Sequence, residues 1–451
     1  MKYFGTDGFR GEANRTLTAM HAYRIGRFLG YYWKKSGIAR PKVAIGKDTR
    51  RSSYMLESAL TAGLTTSGAD VYLLHVTTTP SVSYIVRAED FHCGIMISAS
   101  HNPYFDNGIK LMDGNGVKME ESFLSQIEEY MDAAEDYLPL AEREEIGSTL
   151  DYVFGRNSYI AYLIQTIRRS FKGKRVGIDC ANGASFTIAK HVFDALGADT
   201  YVIHDRPDGL NINVNCGSMH IEDLRELVRS QKLDVGFAFD GDADRCIAVD
   251  NNGDIMDGDT ILYLCGTYLK QNGELLNDTV VTTVMSNLGL HKAFERKQIK
   301  TVQTDVGDKY VTAKLLEEGH CLGGEQSGHI IFSKYATTGD GILTALRLME
   351  VSLEQKSDFA SLHRDLIIYP QILKNVRVRD KNQVLENPVV SATIRSIDAE
   401  LGNEGRTLVR PSGTEPLLRI MVEAKQHSQC EEAVQKIVDA IRNEGLLVSA
   451  Q

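Results

Sequence analysis

The segment Cys93–Pro103, CGIMISASHNP, marks an abrupt change from an apolar run to a polar turn. Residues 93–97 are apolar and β-prone, which predicts a short buried strand. The proline ends that strand, because the residue before a proline is steered away from helix. Ser100 is therefore predicted on a turn at the carboxyl end of a strand, where open α/β sheets place their ligands. A serine there, with a histidine beside it and Lys110 further on, could act as a nucleophile, although a plain polar turn also fits this segment.

The composition is that of an acidic globular protein. The 451 residues include 50 Lys and Arg against 60 Asp and Glu, a net charge of −10. This balance argues against a general binder of nucleic acid or of anionic membranes. No apolar run approaches the roughly 20 residues of a membrane helix, and the N-terminus lacks the apolar core of a signal peptide.

The seven cysteines are scattered along the chain, odd in number and without a Cys-x-x-Cys pair. This pattern predicts reduced thiols rather than a disulfide framework or a zinc site. Together with the absence of targeting signals, it leads us to expect a cytoplasmic protein.

Strands alternating with helices predict several α/β units. The length allows roughly three domains, or four small ones. The last unit differs from the others, because it is richer in short strands. We predict an α/β fold of three similar mixed α/β domains and a smaller C-terminal α+β domain, with boundaries at 1–151, 152–252, 253–368 and 369–451.

A second informative stretch is Asp240–Arg245, DGDADR, which follows a predicted apolar strand. Alternating aspartates on an extended loop turn three carboxylates toward one point, as a hard divalent cation requires. A calcium EF-hand would need glycine and glutamate where this chain has Arg245 and Asn251. An aspartyl-phosphatase loop, with Asp240 as nucleophile, would carry threonine or valine at Asp244. The segment is therefore interpreted as a metal-binding loop.

Two polar loops of the first unit could contribute to an anion site. The loop 5–11, GTDGFRG, is glycine-rich, so that Arg10 could reach an anion. Arg50 and Arg51 follow the strand predicted at 42–46, and we expect their side chains to be solvated. Each loop alone also fits an ordinary surface turn.

Two later loops have side chains that suit a sugar phosphate. Residues 323–329, GGEQSGH, present carboxylate, hydroxyl and imidazole groups for sugar hydroxyls. Residues 410–416, RPSGTEP, combine an arginine with two hydroxyls and an open backbone, which suits phosphate. Taken alone, each loop has a simpler interpretation. His329 of the first loop could be a structural histidine, and the second loop could be a plain β-turn.

Four motifs in this order, SASHNP, DGDADR, GEQSGH and RPSGTEP, together with the opening GTDGFRG, resemble the α-D-phosphohexomutase family. The resemblance spans the whole chain and implies that the four domains surround a central cleft. The stretch ISASHNP, Gln326 and the segment 211–218 resemble the branch that acts on glucosamine phosphates. Lys309 stands where arginine is common.

The resemblance implies an intramolecular phosphotransferase of the isomerase class. It would interconvert glucosamine 6-phosphate and glucosamine 1-phosphate through a phosphoserine and a 1,6-bisphosphate intermediate. This reaction would be a step towards UDP-N-acetylglucosamine. It also implies one Mg²⁺ per subunit, glucosamine 1,6-bisphosphate as primer, an amino-sugar phosphate as substrate and a possible homodimer. Two alternatives stay open: activity on mannose or glucose phosphates, and a non-catalytic sugar-phosphate-binding protein.

The resemblance further implies a role for each site residue. The catalytic residues would be Ser100, Lys110, Arg10, His101 and Arg245, with Ser100 the residue modified to phosphoserine. The metal ligands would be Ser100, Asp240, Asp242 and Asp244. The substrate-binding residues would be Glu325, Ser327, His329, Arg410, Ser412, Gly413, Thr414 and Arg419. As acid and base, Lys110 would need a lowered pKa, which we expect neighbouring cations to supply.

Overall fold

The computed structural model describes residues 1–411 and 417–449. The chain forms two units with dense internal contacts, the first comprising residues 1–285 and 299–364, and the second residues 286–298 and those from 365 onward. The first unit contains three mixed sheets and the second contains one antiparallel sheet. These four sheets, each packed with helices, confirm the predicted fold class.

The first sheet is built by the N-terminal part of the first unit. Its strands are β1 (Phe4–Gly5), β2 (Gly8–Glu12), β3 (Lys42–Lys47), β4 (Asp70–Val76), β5 (Cys93–Ile97), β6 (Asp106–Asp113) and β7 (Thr149–Asp151). Its helices are α1 (Ala19–Lys35), α2 (Arg51–Thr66), α3 (Thr79–Ala88) and α4 (Glu121–Met131). The strand order is β1-β2-β6-β5-β3-β4-β7.

Strand β5 lies in the middle of this sheet, and all five of its residues are buried. It runs parallel to β3 and antiparallel to β6, so the serine turn leaves a fixed central strand. Helix α1 begins after Thr18, whose hydroxyl accepts from the His21 amide in a capping box. Because β1, β2 and β6 run antiparallel to their neighbours, the sheet is mixed, as predicted for these domains.

The second sheet lies between the other two sheets in sequence. It contains β8 (Arg175–Asp179), β9 (Asp199–Ile203), β10 (Val235–Phe239), β11 (Cys246–Val249) and β12 (Ile255–Met256), in the order β12-β11-β10-β8-β9. Its helices are α5 (Val153–Gln165), α6 (Ala189–Ala195) and α7 (Glu222–Gln231). Strands β8, β9 and β10 are parallel, so their carboxyl ends share one edge. The predicted metal loop follows β10 at that edge.

The third sheet has the order β14-β13-β15-β16, formed by β13 (Thr279–Thr283), β14 (Lys300–Thr304), β15 (Leu322–Gly324) and β16 (Ile330–Phe332). The helices of this stretch are α8 (Gly258–Gln271), α9 (Leu288–Arg296), α10 (Asp308–Glu318), α11 (Gly341–Gln355) and α12 (Phe359–Leu362). Helix α9 belongs to the second unit. The predicted sugar loop joins the antiparallel pair β15 and β16.

The second unit has the sheet order β18-β19-β17-β20, formed by β17 (Gln371–Val378), β18 (Gly405–Pro411), β19 (Leu417–Ala424) and β20 (Leu447–Ser449). Its helices include α13 (Lys381–Glu386), α14 (Pro388–Leu401) and α15 (His427–Asn443). Helix α15 presents a buried apolar stripe to the sheet. Within the described residues, no helix is both long and apolar enough to span a bilayer.

Candidate active site

Ser100 occupies the turn after β5, as the sequence predicts. Its backbone φ is +54°, in the left-handed region, and the residue is 1% exposed. The Ser100 hydroxyl donates to Asp240 Oδ2 at 2.5 Å, and His101 Nδ1 lies 3.3 Å from the same oxygen. The structure thus brings the predicted nucleophile, histidine and acidic loop together around one atom.

A buried polar network holds the backbone of this turn. The Arg50 guanidinium donates to the Ser100 carbonyl oxygen at 3.0 Å and to the carboxylate of Asp48 at 2.8 Å. Asp48 also accepts from the Ser98 hydroxyl at 2.7 Å, and that hydroxyl accepts from the Ser100 amide at 2.9 Å. The expectation that Arg50 is solvated was wrong: its side chain is fully buried, because the loop folds inward over the serine turn. Arg51 is exposed, as expected.

The serine turn and the acidic loop approach each other closely at Gly241. A Cβ atom at this position would lie 2.5 Å from the Ser100 carbonyl oxygen, which no side chain could accept without displacing backbone. The amide of Asn213 donates to that same oxygen at 2.8 Å. Three separate segments therefore fix one carbonyl group, and with it the position of the adjacent hydroxyl.

The three aspartates of the acidic loop converge. One carboxylate oxygen from each of Asp240, Asp242 and Asp244 lies within 4.8 Å of the others, and all three residues are buried. Burial raises the pKa of Asp240 well above its usual range, and the negative charges of Asp244 and Asp242 raise it further. Such mutual repulsion in a buried site favours a cation between the carboxylates.

These residues fit a hard divalent cation. Among the described residues, Asp242 Oδ1 and Asp244 Oδ1 are buried without a hydrogen-bond partner. Oxygen-only donors at this spacing match the ligand preference of Mg²⁺. The part of the chain that the structure describes therefore contains a buried triple-aspartate group able to hold such an ion.

Lys110 reaches this group from β6. Its ammonium donates to Asp242 Oδ2 at 2.6 Å and to Asp244 Oδ2 at 3.1 Å. Burial opposes the charge on Lys110, but the carboxylates of Asp242 and Asp244 outweigh it and raise the lysine pKa above its ordinary value. The expected lowering of the Lys110 pKa was wrong, because its nearest charged neighbours are anions rather than cations. The same ammonium, with His329 and Arg245, counters burial and lowers the pKa of Asp244 to about 2.

Two arginines flank the site. Arg10 on β2 has its Nη2 3.5 Å from Asp7 Oδ2, and Arg245 donates its backbone amide to Asp240 Oδ1 at 3.2 Å. The Nε atoms of both guanidinium groups are buried and have no hydrogen-bond partner among the described residues. The unsatisfied Nε donors of Arg10 and Arg245 suit an incoming phosphate.

Burial and the charges of Arg245 and Arg10 lower the pKa of His101 to about 4, so its imidazole is neutral near pH 7.

Alternating charges continue from the N-terminal loop to the third sheet. The Lys118 ammonium lies 3.4 Å from Asp7 Oδ1 and 2.5 Å from Asp308 Oδ1. Asp308 Oδ2 in turn lies 3.5 Å from His329 Nε2. Asp7, Lys118 and Asp308 border a cavity of about 460 Å³, which Lys110 also lines, and this size suits a small ligand.

The sugar loop places its predicted residues differently. Glu325 accepts from the Gly307 amide at 3.1 Å, and Ser327 is exposed at the loop tip. His329 is buried against Gly339, and within the described part of the chain neither of its ring nitrogens has a hydrogen-bond partner of good geometry. Gln326 donates to Asp257 Oδ2 at 3.3 Å. The loop thus holds its carboxylate inward and its hydroxyl outward.

The predicted phosphate loop belongs to the second unit. Arg410 and Arg419 lie opposite each other in the antiparallel register of β18 and β19. Ser412, Gly413 and Thr414 lie outside the described residues. The two described arginines therefore sit on the strands that flank the predicted loop.

The sequence analysis did not assign site roles to several residues that brace the serine turn. They are Asp48, Ser98, Thr79 and Asn213. Thr79, at the start of α3, donates to Asp242 Oδ2. Three of them had a sequence signal. Ser98 lies in the SASHNP motif, Asn213 lies in the segment 211–218, and Asp48 stands just after the strand predicted at 42–46.

Sequence comparison identifies four consecutive domains of one family. The matches are phosphoglucomutase/phosphomannomutase α/β/α domain I over residues 1–138, domain II over 157–253, domain III over 257–368 and the C-terminal domain over 373–440. The chain belongs to the phosphoglucomutase/phosphomannomutase family. All the motifs that suggested a phosphohexomutase lie within these four domains.

Several relatives in this family match over nearly their whole length. A phosphoglucosamine mutase of Lachnoclostridium phytofermentans is 60% identical over 444 residues, covering 98% of this chain and 99% of the relative. A phosphoglucosamine mutase of Lachnospira eligens is 58% identical over 448 residues, covering 99% and 100%. One of Bacillus subtilis is 50% identical over 443 residues, covering 98% and 99%.

Solved structures of the family share the fold. A phosphoglucomutase/phosphomannomutase family protein of Burkholderia thailandensis has a TM-score of 0.82 at 23% identity, covering 100% of this chain and 98% of that one. The N-acetylphosphoglucosamine mutase of Aspergillus fumigatus, solved with GlcNAc-6P and magnesium, has a TM-score of 0.65 at 18% identity, covering 98% and 96%. At these identities the likeness concerns the fold alone.

Proposed function

We propose that this chain interconverts glucosamine 6-phosphate and glucosamine 1-phosphate, and that Ser100 carries the phosphoryl group as a phosphoserine. One observation carries the proposal: the Ser100 hydroxyl lies 2.5 Å from Asp240 Oδ2, at the edge of a buried triple-aspartate group. The names of the most similar relatives support glucosamine phosphates as the substrates. Phosphoryl transfer needs mainly positioning and charge neutralisation, and this site offers both.

Ser100 passes its phosphoryl group to the free hydroxyl of the sugar phosphate. The bond between phosphorus and Ser100 Oγ breaks and a bond to the sugar oxygen forms. The sugar hydroxyl loses its proton and Ser100 Oγ gains one, so the products are a 1,6-bisphosphate and a free serine hydroxyl. The sugar then turns over and returns its other phosphoryl group to Ser100. Ser100 and Asp240 are at most 1% exposed, and this burial keeps water from intercepting the phosphoryl group.

Asp240, Asp242 and Asp244, with an oxygen of the phosphoserine, would hold one Mg²⁺ per subunit. Such an ion supplies Lewis-acid charge stabilisation to the transferring group. Arg10 and Arg245 offer buried, unsatisfied Nε donors beside the same group. The metal ion and the two arginines would thus both neutralise the negative charge of the phosphoryl group.

Lys110 holds a proton on Nζ, since Asp242 and Asp244 keep it as an ammonium. It is therefore suited to give that proton to the sugar oxygen when phosphorus leaves it. It can accept the proton of an attacking hydroxyl only as a neutral amine, a form it reaches after giving its own proton away. His101 is neutral near pH 7 and orients the Ser100 hydroxyl through its Nδ1 at 3.3 Å.

Glu325, Ser327 and His329 would bind the sugar in both of its orientations. Carboxylate and hydroxyl groups can pair with vicinal sugar hydroxyls, and the loop keeps Glu325 fixed through the Gly307 amide. Binding of the distal phosphate by Arg410, Ser412, Gly413, Thr414 and Arg419 stays a prediction.

A panel of substrates tests the proposal. Purified enzyme with Mg²⁺ is assayed on glucosamine, glucose and mannose 1- and 6-phosphates, each with a trace of the matching 1,6-bisphosphate as primer. The highest kcat/KM is expected for glucosamine phosphates. A preference for mannose or glucose phosphates would replace the substrate, whereas no turnover on any of them would leave a sugar-phosphate-binding protein.

Mass spectrometry tests the modification separately. A phosphoserine adds about 80 Da, and we expect this increment on the peptide that contains Ser100 in active enzyme. Active enzyme without it, even after primer is added, would contradict the phosphoserine.

Three further parts of the proposal concern the setting of the enzyme. All seven cysteines are buried free thiols, which fits the reducing cytoplasm. Glucosamine 1,6-bisphosphate should restore activity to enzyme that has lost its phosphoryl group. The homodimer stays a prediction, and sedimentation equilibrium tests it.

A further inference from the structure

A second group of metal-ligating side chains lies in the second sheet, apart from the acidic loop. Single ligand atoms of Asp179, His204 and Cys216 lie within 4.8 Å of one another, and Asp179 and Cys216 are buried. Asp179 ends β8, His204 follows β9, and Cys216 closes the loop that begins after His204. The three residues are distant in sequence and meet only because the strands are parallel neighbours.

Asp179 and His204 lie at ion-pair distance. His204 Nδ1 lies 3.0 Å from Asp179 Oδ2, an ion pair when the imidazole is protonated, and Asp179 also accepts from the backbone amides of Ala181 and Gly217. A bound metal ion would take the place of the imidazole proton between Asp179 and His204. The other ring nitrogen, Nε2, lies 3.3 Å from Asp223 Oδ2. Metal-bound histidines typically donate their second nitrogen to a carboxylate in this way.

The sulfur of Cys216 completes the group. The Asn182 side-chain amide donates to Cys216 Sγ at 3.9 Å, so a polar donor faces the sulfur. Nitrogen, sulfur and oxygen together suit Zn²⁺ and not Mg²⁺, which prefers oxygen alone. Three protein ligands leave one position of a tetrahedral ion for water.

We propose that Asp179, His204 and Cys216 bind a zinc ion, with Asp223 as the outer partner of the histidine. The ion would tie together the two ends of the loop 205–215. Asn213 on that loop donates to the Ser100 carbonyl oxygen at 2.8 Å. The zinc ion thereby braces the serine turn from a distance, and it takes no part in phosphoryl transfer.

The sequence pattern argued against a zinc site because it lacks a Cys-x-x-Cys pair. That argument covers sites built from one short segment. A site with a single cysteine and ligands from three segments leaves no such signature.

The test uses metal content and a spectrum, so it is independent of mutase activity. Full-length protein is saturated with Zn²⁺, freed of excess metal and analysed by plasma mass spectrometry. The triple-aspartate group could also take zinc, so the measurement is made in the Asp240→Asn background as well. We expect about one zinc per chain to remain in that background. Cys216→Ser or His204→Gln should remove this zinc.

Replacement by Co²⁺ identifies the ligand. A cobalt–thiolate charge-transfer band in the near ultraviolet is expected for the wild type and for the control Cys265→Ser, whose cysteine lies on α8. The band should vanish in Cys216→Ser. Asp223→Asn alters an exposed outer partner, so it should fold normally and weaken zinc binding about 10- to 100-fold.

Protein that retains no zinc and shows no cobalt–thiolate band would overturn the proposal and leave an ion pair between Asp179 and His204. A band that persists in Cys216→Ser would overturn it too. If Cys216→Ser fails to fold by circular dichroism, the Asp223→Asn titration decides alone: unchanged zinc affinity would contradict the site.

Discussion

The acidic loop and the Asp179–His204–Cys216 group both belong to the second sheet. Each lies at the edge where the parallel strands of that sheet end. The first offers oxygen donors from one short segment, and the second offers oxygen, nitrogen and sulfur donors from three. One architecture can thus present two chemically different sites, because strand order fixes where side chains meet while residue type fixes what they bind. The acidic loop serves the reaction directly, and the second group would support it through Asn213.

The comparison is sharpest at Ser100, whose hydroxyl donates to Asp240 of the acidic loop. Ser100→Ala removes the phosphoryl-carrying oxygen, so turnover should fall by at least about 10⁴-fold while the fold persists. The variant should keep its full zinc content, since the second group is intact. Ser58→Ala, on an exposed helix face, is the control. Near-normal turnover of Ser100→Ala would remove the phosphoserine from the mechanism.

A second experiment asks how far the serine turn depends on its buried support. Asp48 is fully buried and accepts hydrogen bonds from Arg50, Ser98 and Ser53. Asp48→Asn leaves the buried Arg50 charge uncompensated, which should lower the free energy of unfolding by about 3–5 kcal/mol in urea titrations. The exposed Asp132→Asn is the control and should change the free energy of unfolding far less. A loss in Asp48→Asn as small as the control's would show that the network does not stabilise the turn.

A third experiment separates the two sites by their metals. Asp242→Asn should raise the Mg²⁺ concentration needed for activity and lower kcat/KM by at least about 100-fold, since a direct ligand exceeds an outer one in effect. The zinc held by Asp179, His204 and Cys216 should be retained in this variant. The exposed Asp305→Asn is the matched control for the charge removed. An unchanged Mg²⁺ dependence in Asp242→Asn would place the cation elsewhere.

A smaller effect is expected at Asp340, a buried carboxylate outside both groups. Burial raises its pKa from 3.8 to about 6, although Tyr159 and the Leu343 amide donate to it. The folded state therefore holds this proton more tightly than the unfolded state. The contribution of protonated Asp340 to the free energy of unfolding is complete below about pH 4 and is lost as the pH rises through about 6.

Asp340→Asn removes this dependence while keeping a residue suited to cap α11. The free energy of unfolding of the wild type should fall relative to the variant by about 1–3 kcal/mol between pH 4 and pH 7. Urea titrations at the two pH values measure the difference. Parallel behaviour of the two proteins would mean that Asp340 ionises normally.

Much of the fold was predictable from local signals. Strand β5 at residues 93–97 and strand β3, predicted at 42–46, appear where the sequence predicts them. The convergence of the DGDADR aspartates was also predictable, because alternation within one extended segment is a local property. Domain-level identity followed from four motifs in a fixed order.

Contacts between distant segments were not predictable in the same way. Arg50 is an ordinary charged loop residue in the sequence, and its burial depends on where the serine turn lies in space. The pKa of Lys110 was wrongly expected to be lowered, because its partners are on another sheet. The Asp179–His204–Cys216 group spans three segments, so only the strand order reveals it.

The close approach at Gly241 limits the substitutions that this position can accept during evolution. Any replacement adds a Cβ atom 2.5 Å from the Ser100 carbonyl oxygen and must push two loops apart. No missense change at this codon is sterically silent. Natural selection is therefore expected to act against each missense change at Gly241.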